Sequence, residues 1–323
     1  MLRVLIVAAL GALLAATSAV AGNGGLAPVP PESSNAEAIR DTYWLVLGIT
    51  GFVFVIVEAT LILFLVKYRR QRRSHDTEGP QVRGNTNLEV GWTVVPVLLL
   101  AAIVAFVFVK LPAIEDEPSA RAGEQLTIRV EGHQYYWLFR YPGDQIAVDR
   151  LVVPVGQVVG LDVVAPDADV IHSWWIPALG GKIDAIPGRT NHTWFRARRE
   201  GVYKGQCAEL CGAQHALMLA TVEVVSPGEF EKYLGTRAAS TAAIVGRETF
   251  EGVCAKCHGL DGRGTEAAPA IAGRVFDRTT ENLIRNGGVR MPAVGADWSE
   301  AQVKATIAYL NRTIGTGAGQ SGG

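Results

Sequence analysis

Two stretches of the chain run apolar with almost no relief. Residues 42–66, TYWLVLGITGFVFVIVEATLILFLV, hold one charge, Glu58, and residues 91–111, GWTVVPVLLLAAIVAFVFVKL, hold none before Lys110. About 20 such residues cross a bilayer as a helix, so the pair predicts a transmembrane hairpin. The loop between them begins KYRRQRR, and EDE (115–117) follows the second stretch. The Lys/Arg excess places that loop in the cytoplasm and both flanking segments on the periplasmic or outer side. At the start, Arg3, an apolar run and the small-residue site AVA at 19–21 read as a cleaved export signal over residues 1–21.

Beyond residue 119 the period changes. EQLTIRV alternates apolar and polar positions. YYWLFRY, RLVVPVGQVVGLDVV, VIHSWWIP, TNHTWFRARR and ALMLATVEVV are rich in β-branched and aromatic residues and are separated by Pro, Gly and Asp. Many short strands at this spacing predict an antiparallel sandwich or barrel over 119–226. Residues 227–243 read as one helix and then a small-residue linker from about 236. Residues 244–314 return to a helical pattern, with Ser299 placed to cap the last helix and Glu300 in its first turn. Residues 315–323 read as a disordered tail. The chain is thus expected to be a multi-domain membrane protein, with the hairpin over 22–118, a β domain and a small all-α domain.

Lys and Arg number 30 against 31 Asp and Glu, a net charge of −1, which excludes general affinity for nucleic acid. The four cysteines all fall on the outer side, where disulfides form, so each motif must be weighed against a disulfide. Cys254-Ala255-Lys256-Cys257-His258 is C-x-x-C-H, the attachment signal for c-type haem. Two thiols one helical turn apart can add to two vinyl groups, and His258 then lies beneath the iron. Met291, in VRMPA, supplies a second axial ligand suited to electron transfer. A redox dithiol or disulfide is the plainer alternative for the pentapeptide alone. The segment resembles class I cytochrome c over about 70 residues. Gly246 and Phe250 match that family's Gly/aromatic pair, and Pro269 matches the proline whose carbonyl orients the ligand histidine.

CAELCGAQHALM (207–218) holds Cys207, Cys211, His215 and Met218 as C-x3-C-x3-H-x2-M, and His172 lies upstream in DVIHSWWIP. A single-copper electron-transfer site needs two His, one Cys and a Met. Here one thiolate is left over, and two thiolates can bridge two copper ions with one His for each. A disulfide leaves His and Met unexplained, zinc has little use for Met, and redox dithiols usually carry two residues between their cysteines. Spacing favours copper without closing those alternatives.

CAELCGAQHALM, DVIHSWWIPALGGKIDAIPGR and the two-helix anchor before them closely resemble cytochrome c oxidase subunit II with its binuclear copper A motif, over residues 40–225. With the haem segment behind it, the chain resembles the subunit II of a caa-type oxidase. The resemblance implies a cupredoxin-like Greek-key β-barrel. It implies copper ligation by His172, Cys207, Cys211, His215 and Met218 and by the Glu209 backbone carbonyl, with the Glu209 carboxylate on a magnesium ion shared with subunit I. It matches Glu89 to a glutamate at the mouth of a proton pathway; a solvated acid at a helix end reads equally well. Tyr135, in EGHQYYWLFRY, stands where many relatives carry a Trp thought to receive electrons from cytochrome c. Glu58 is a functional candidate because it is ionisable inside the membrane, or else a structural hydrogen bond to subunit I.

The expected function is relay of electrons from the haem c to copper A and on to a catalytic subunit I that reduces oxygen to water, coupled to proton translocation. Expected partners are subunits I and III, the bacterial membrane, and cytochrome c or a quinol–cytochrome c reductase as donor. A short tether would hold the haem and copper domains at an effective concentration on the order of millimolar. A copper carrier has no use for the haem segment. A nitrous-oxide reductase needs more histidines than the six present. Quinol oxidase subunits lack the copper cysteines.

Overall fold

The computed structural model describes residues 28–68, 81, 83–119, 125–143, 145–239 and 241–316. The expected export signal, most of the basic loop and all but the first two residues of the expected tail lie outside these.

Helix α1 (Ser34–Lys67) and helix α2 (Thr86–Glu115) contain the two apolar stretches and run beyond them into polar turns. At 1.5 Å per residue each exceeds the roughly 30 Å of a hydrocarbon core. Asn85 caps α2 through its side chain, which accepts from the Leu88 N–H at 3.3 Å. Within the hairpin Lys110 donates to Asp41 at 2.8 Å, tying the end of α2 to the beginning of α1.

The second unit begins with residues 32–35, which are stitched to the β domain. Ser33 donates to the Leu179 carbonyl, Asn35 donates to the Trp194 carbonyl, and Glu32 pairs with Arg199. Ten strands follow among the described residues: β1 (Gln125–His133), β2 (Tyr136–Arg140), β3 (Ile146–Val148), β4 (Arg150–Pro154), β5 (Val158–Val164), β6 (His172–Trp175), β7 (Ile183–Ala185), β8 (Asn191–Phe195), β9 (Gly201–Cys207) and β10 (Leu219–Val225). They form two five-stranded sheets, ordered β3-β2-β1-β5-β8 and β4-β10-β9-β6-β7. The alternation in β1 sends Leu126, Ile128 and Val130 inward, where they meet Trp137, Phe139 and Leu161 in one core. The expected all-antiparallel pairing is corrected at two places. β1–β5 and β4–β10 run parallel, because each pair joins strands linked by a crossover rather than by a hairpin.

Helix α3 (Pro227–Ala239) continues through the small residues read as a linker, and helix α4 (Thr241–Thr249) starts two residues on. Ala238, Ala239, Ala242 and Ala243 make up half of residues 236–243, and alanine is the best helix former. A π-helical turn (Phe250–Cys254) leads into the short helix α5 (Ala255–His258), followed by α6 (Arg278–Asn286) and α7 (Glu300–Thr313). Ser299 caps α7, as its sequence predicted, accepting from the Gln302 N–H at 3.2 Å. Phe250 and Leu310 pack with Phe276 and Ile314 in the core of this helical lobe.

Candidate metal centre and haem-attachment segment

β6 and β9 are antiparallel neighbours with Trp174 opposite Cys207, which sets His172 at the head of one strand near Cys207 at the end of the other. The loop after Cys207 returns at once. The Cys207 N–H donates to the Met218 carbonyl at 2.9 Å, and a 3₁₀ turn (His215–Leu217) swings His215 and Met218 back towards the strand end. Gly212 makes the tight return feasible. Its φ is +132°, and a Cβ there would sit 2.6 Å from the Tyr135 hydroxyl.

Five side chains converge. The Cys207 and Cys211 sulfurs stand 3.9 Å apart, Cys207 Sγ lies 3.9 Å from His172 Nδ1, Cys211 Sγ lies 3.5 Å from His215 Nδ1 and Cys211 Sγ lies 3.8 Å from Met218 Sδ. Cys207 Sγ also points at the Glu209 carbonyl, 3.2 Å away, while the Glu209 carboxylate faces outward. Both thiols are free, as a disulfide length of about 2.05 Å requires at this separation. Donors around one small tetrahedral ion, bound at about 2.0–2.3 Å, stand roughly 3.3–3.8 Å apart, so this set is spaced to hold metal. Each thiol has its own imidazole and its own weak donor, Met218 beside Cys211 and a carbonyl beside Cys207. The donors are soft, which selects copper over hard oxygen-seeking cations.

The surroundings prepare those donors. His172 is wholly buried, and its Nε2 meets Asp169 Oδ1 at 3.2 Å, leaving Nδ1 to face the sulfurs. Burial opposes charge on His172, yet the hydrogen bonds to Asp169 and Cys207 outweigh it and raise its pKa. Burial also opposes the Cys207 thiolate, but the His172 ring and the Ser173 backbone bring that thiol down to about 7. Burial and the neighbouring Cys207 push Cys211 up to about 12. Trp137 meets the His172 ring edge-on, centroids 6.1 Å apart.

In the helical lobe Cys254 and Cys257 are free and half-buried on consecutive turns. Burial, with Cys257 beside it, pushes the Cys254 thiol up to about 12. The Pro269 carbonyl lies 2.8 Å from His258 Nδ1, which leaves Nε2 as the ring nitrogen available to a metal. Met291 is partly buried beside Val294 and Trp298. Glu58 lies within α1. Glu89 sits in the first turn of α2 and accepts from the Asn85 N–H at 3.3 Å, so it helps to cap its own helix.

Tyr135 is half-buried, and its hydroxyl accepts from the Ala213 N–H at 3.2 Å, over the metal loop. Sequence reasoning did not single out Asp169, although its place three residues before His172 in DADVIH was a usable signal. It also missed Gln134, whose Nε2 donates to the Cys211 carbonyl at 2.5 Å, and Asp149 and Lys256, which no local pattern marks.

Fold and site together define a membrane-anchored electron-transfer protein that pairs a cupredoxin-like metal domain with a cytochrome c domain. Family models agree along the chain. Residues 28–110 match the transmembrane domain of cytochrome c oxidase subunit II, residues 143–225 match its periplasmic domain, and residues 241–310 match the cbb3-type cytochrome c oxidase subunit III. Cytochrome c oxidase subunit 2 of Alkalihalophilus pseudofirmus is 37% identical over 323 aligned residues, covering 90% of this chain and 91% of that one. The Cereibacter sphaeroides subunit 2 is 33% identical, covering 69% and 87%. Among solved structures, the periplasmic domain of subunit II of Bradyrhizobium japonicum cytochrome oxidase is 39% identical, covers 37% of this chain and 95% of its own, and superposes with a TM-score of 0.34.

The chain belongs to the cytochrome c oxidase subunit II family and carries a cytochrome c domain at its C-terminal side. It is therefore a membrane component of a haem–copper oxidase, partnered by subunit I, with its metal domain on the periplasmic side, and its two domains imply copper and haem.

Proposed function

We propose that this subunit relays single electrons from a covalently held haem c to a binuclear copper A centre and on to subunit I, where oxygen is reduced to water. One observation carries the reading. Two sulfurs 3.9 Å apart each stand beside one imidazole and one weak donor, six donors in all, which is more than one tetrahedral ion takes and suits two bridged coppers. His172, Cys207, Cys211, His215 and Met218, with the Glu209 carbonyl, would hold the copper. Cys254, Cys257, His258 and Met291 would hold the haem. When bound, these groups supply reversible one-electron chemistry.

The polypeptide's part is to keep that chemistry dry and rigid. Cys207, Cys211, Met218 and His172 are buried, and Asp169 and Pro269 lock the orientation of one ligand histidine in each domain. The outward Glu209 carboxylate is free to meet a magnesium ion shared with subunit I. Tyr135 lies over the metal loop as the entry aromatic for electrons reaching the copper, and cytochrome c or a quinol–cytochrome c reductase is the outside donor that reduces the haem c. Subunit III completes the expected complex, Glu89 is assigned to the mouth of a proton pathway, and Glu58 to a contact with subunit I.

The test is metal and haem content of the full-length chain, purified apart from subunit I from a haem-attaching host, with the copper EPR spectrum. Two coppers and one haem per chain, with one unpaired electron shared between both coppers, is the expected result. A single localised copper, zinc, or a Cys207–Cys211 disulfide in the purified chain overturns the binuclear relay.

A further inference from the structure

The haem-bearing lobe is built into the copper domain. Tyr136, Leu138 and Val148 of the β domain share one hydrophobic cluster with Val253, Ile284, Trp298 and Val303 of the helical lobe. Tyr136 is fully buried in that seam; its hydroxyl accepts from Trp298 Nε1 at 2.7 Å and donates to the Val294 carbonyl at 3.1 Å. Gly252, just before the attachment cysteines, lets the π-helical turn lie against β3, since a Cβ there would fall 2.5 Å from Val148 Cγ1.

At the centre of the seam is Lys256, one of the two residues between Cys254 and Cys257. Its ammonium donates to Asp149 Oδ2 at 2.5 Å and to the Tyr135 carbonyl at 2.8 Å, and both side chains of the ion pair are largely buried. Asp149 is itself held, accepting from the Trp137 N–H at 2.9 Å. The two-residue turn between β1 and β2, Gln134 and Tyr135, therefore has a partner on each side. The Tyr135 carbonyl takes Lys256, while the Gln134 amide donates to the carbonyl of Cys211 at 2.5 Å and the Tyr135 hydroxyl accepts from Ala213.

We propose that Lys256 and Asp149 lock the cytochrome lobe into one seat on the copper domain, and that the Gln134–Tyr135 turn is the electronic bridge from the C-x-x-C-H segment to the Cys211 side of the metal loop. This rests on the relay reading above. Transfer across the seam moves one electron, oxidising the haem lobe and reducing the copper lobe; no bond forms or breaks and no proton need follow. What the chain controls is coupling, which decays far more slowly through covalent and hydrogen bonds than across gaps. Lys256, Tyr135, Gln134 and Cys211 leave two hydrogen bonds as the only non-covalent steps. Lys256 is a positioning residue. A free tether would sample many separations, whereas a shared core with a buried ion pair selects one.

The experiment uses the assembled oxidase with Lys256→Gln, Lys256→Arg and Asp149→Asn. Haem-to-copper electron transfer is timed in a single turnover, hydrogen exchange is followed at Tyr136–Arg140 and Val294–Trp298, and both midpoint potentials are measured. Removing one member of a buried ion pair strands the other, so the seated population and the transfer rate are expected to fall roughly tenfold or more in Lys256→Gln and Asp149→Asn. Exchange at both seam segments should rise, the potentials should stay, and Lys256→Arg should recover most of the rate. The exchange measurement reads the seat even in a variant that attaches no haem. Wild-type transfer with unchanged rates and unchanged exchange in both neutral variants overturns the seat. Absence of haem-to-copper transfer in the fully loaded wild type overturns the relay itself.

Discussion

Asp169→Asn separates a positioned ligand from a merely present one. The Asp169 carboxylate makes three contacts: Oδ1 meets His172 Nε2 at 3.2 Å and accepts from the Val170 N–H at 2.7 Å, and Oδ2 accepts from the Gln134 N–H at 3.1 Å. Asparagine can keep the Oδ1 contacts but loses the negative charge behind the imidazole. It also turns an amide N–H₂ towards the Gln134 N–H, donor against donor. Partners of this kind, one bond removed from a metal, typically govern 10–100-fold in affinity, about 1.4–2.8 kcal/mol. The stranded Gln134 N–H should place the result in the upper half of that range, because Gln134 also holds the Cys211 carbonyl. The assay is competition for copper between the full-length subunit and a graded series of copper chelators, with circular dichroism to confirm folding. Asp169→Asn should yield its copper at a chelator strength 10–100-fold lower than wild type. Retention within threefold of wild type, in a folded variant, would refute the claim that Asp169 fixes His172 for the metal.

Three further outcomes follow from the same geometry. Glu131 is buried, and although burial opposes its charge, His133, Arg140 and Arg129 hold it down at about 2 from 4.5. Its folded-state pKa lies below the unfolded value, so it stabilises the β domain by about 3 kcal/mol above pH 4.5, and that contribution drains away as pH falls from 4.5 towards 2. Glu131→Gln should flatten that acid limb in denaturant melts. Gly212→Ala adds a left-handed-region strain of about 1–2 kcal/mol and a Cβ against the Tyr135 hydroxyl, so it should broaden the copper EPR spectrum and lower the melting temperature. Tyr136→Phe leaves the Trp298 indole N–H buried without its acceptor, at a cost of about 1–3 kcal/mol, read as a lower melting temperature.

Much of the metal chemistry could be read along the chain because it is local. Cys207, Cys211, His215 and Met218 occupy one returning loop, and the proposed copper centre calls for those residue types at short, fixed offsets. The same holds for Cys254, Cys257 and His258, where one helical turn sets the spacing, and for the two apolar helices, whose length answers to the bilayer. Strand direction was less legible. Alternation reports which face is buried but not which neighbour a strand takes, so the parallel pairs β1–β5 and β4–β10 were invisible to it.

His172 lies 35 residues before Cys207, and only the pairing of β6 with β9 brings the two together. Lys256 meets Asp149 across 107 positions, and Trp298 meets Tyr136 across 162. Nothing in an exposed-looking lysine inside CAKCH, or a tyrosine in a run of aromatics, announces a buried partner on another domain. Candidate ligand sets, membrane spans and helix caps follow from residue type and short-range spacing, because covalent geometry carries them. Which aspartate stands behind His172, which turn joins the two lobes and which charge is buried between them depend on long-range packing. Only the folded core decides those, since it alone brings distant parts of the chain within hydrogen-bonding distance.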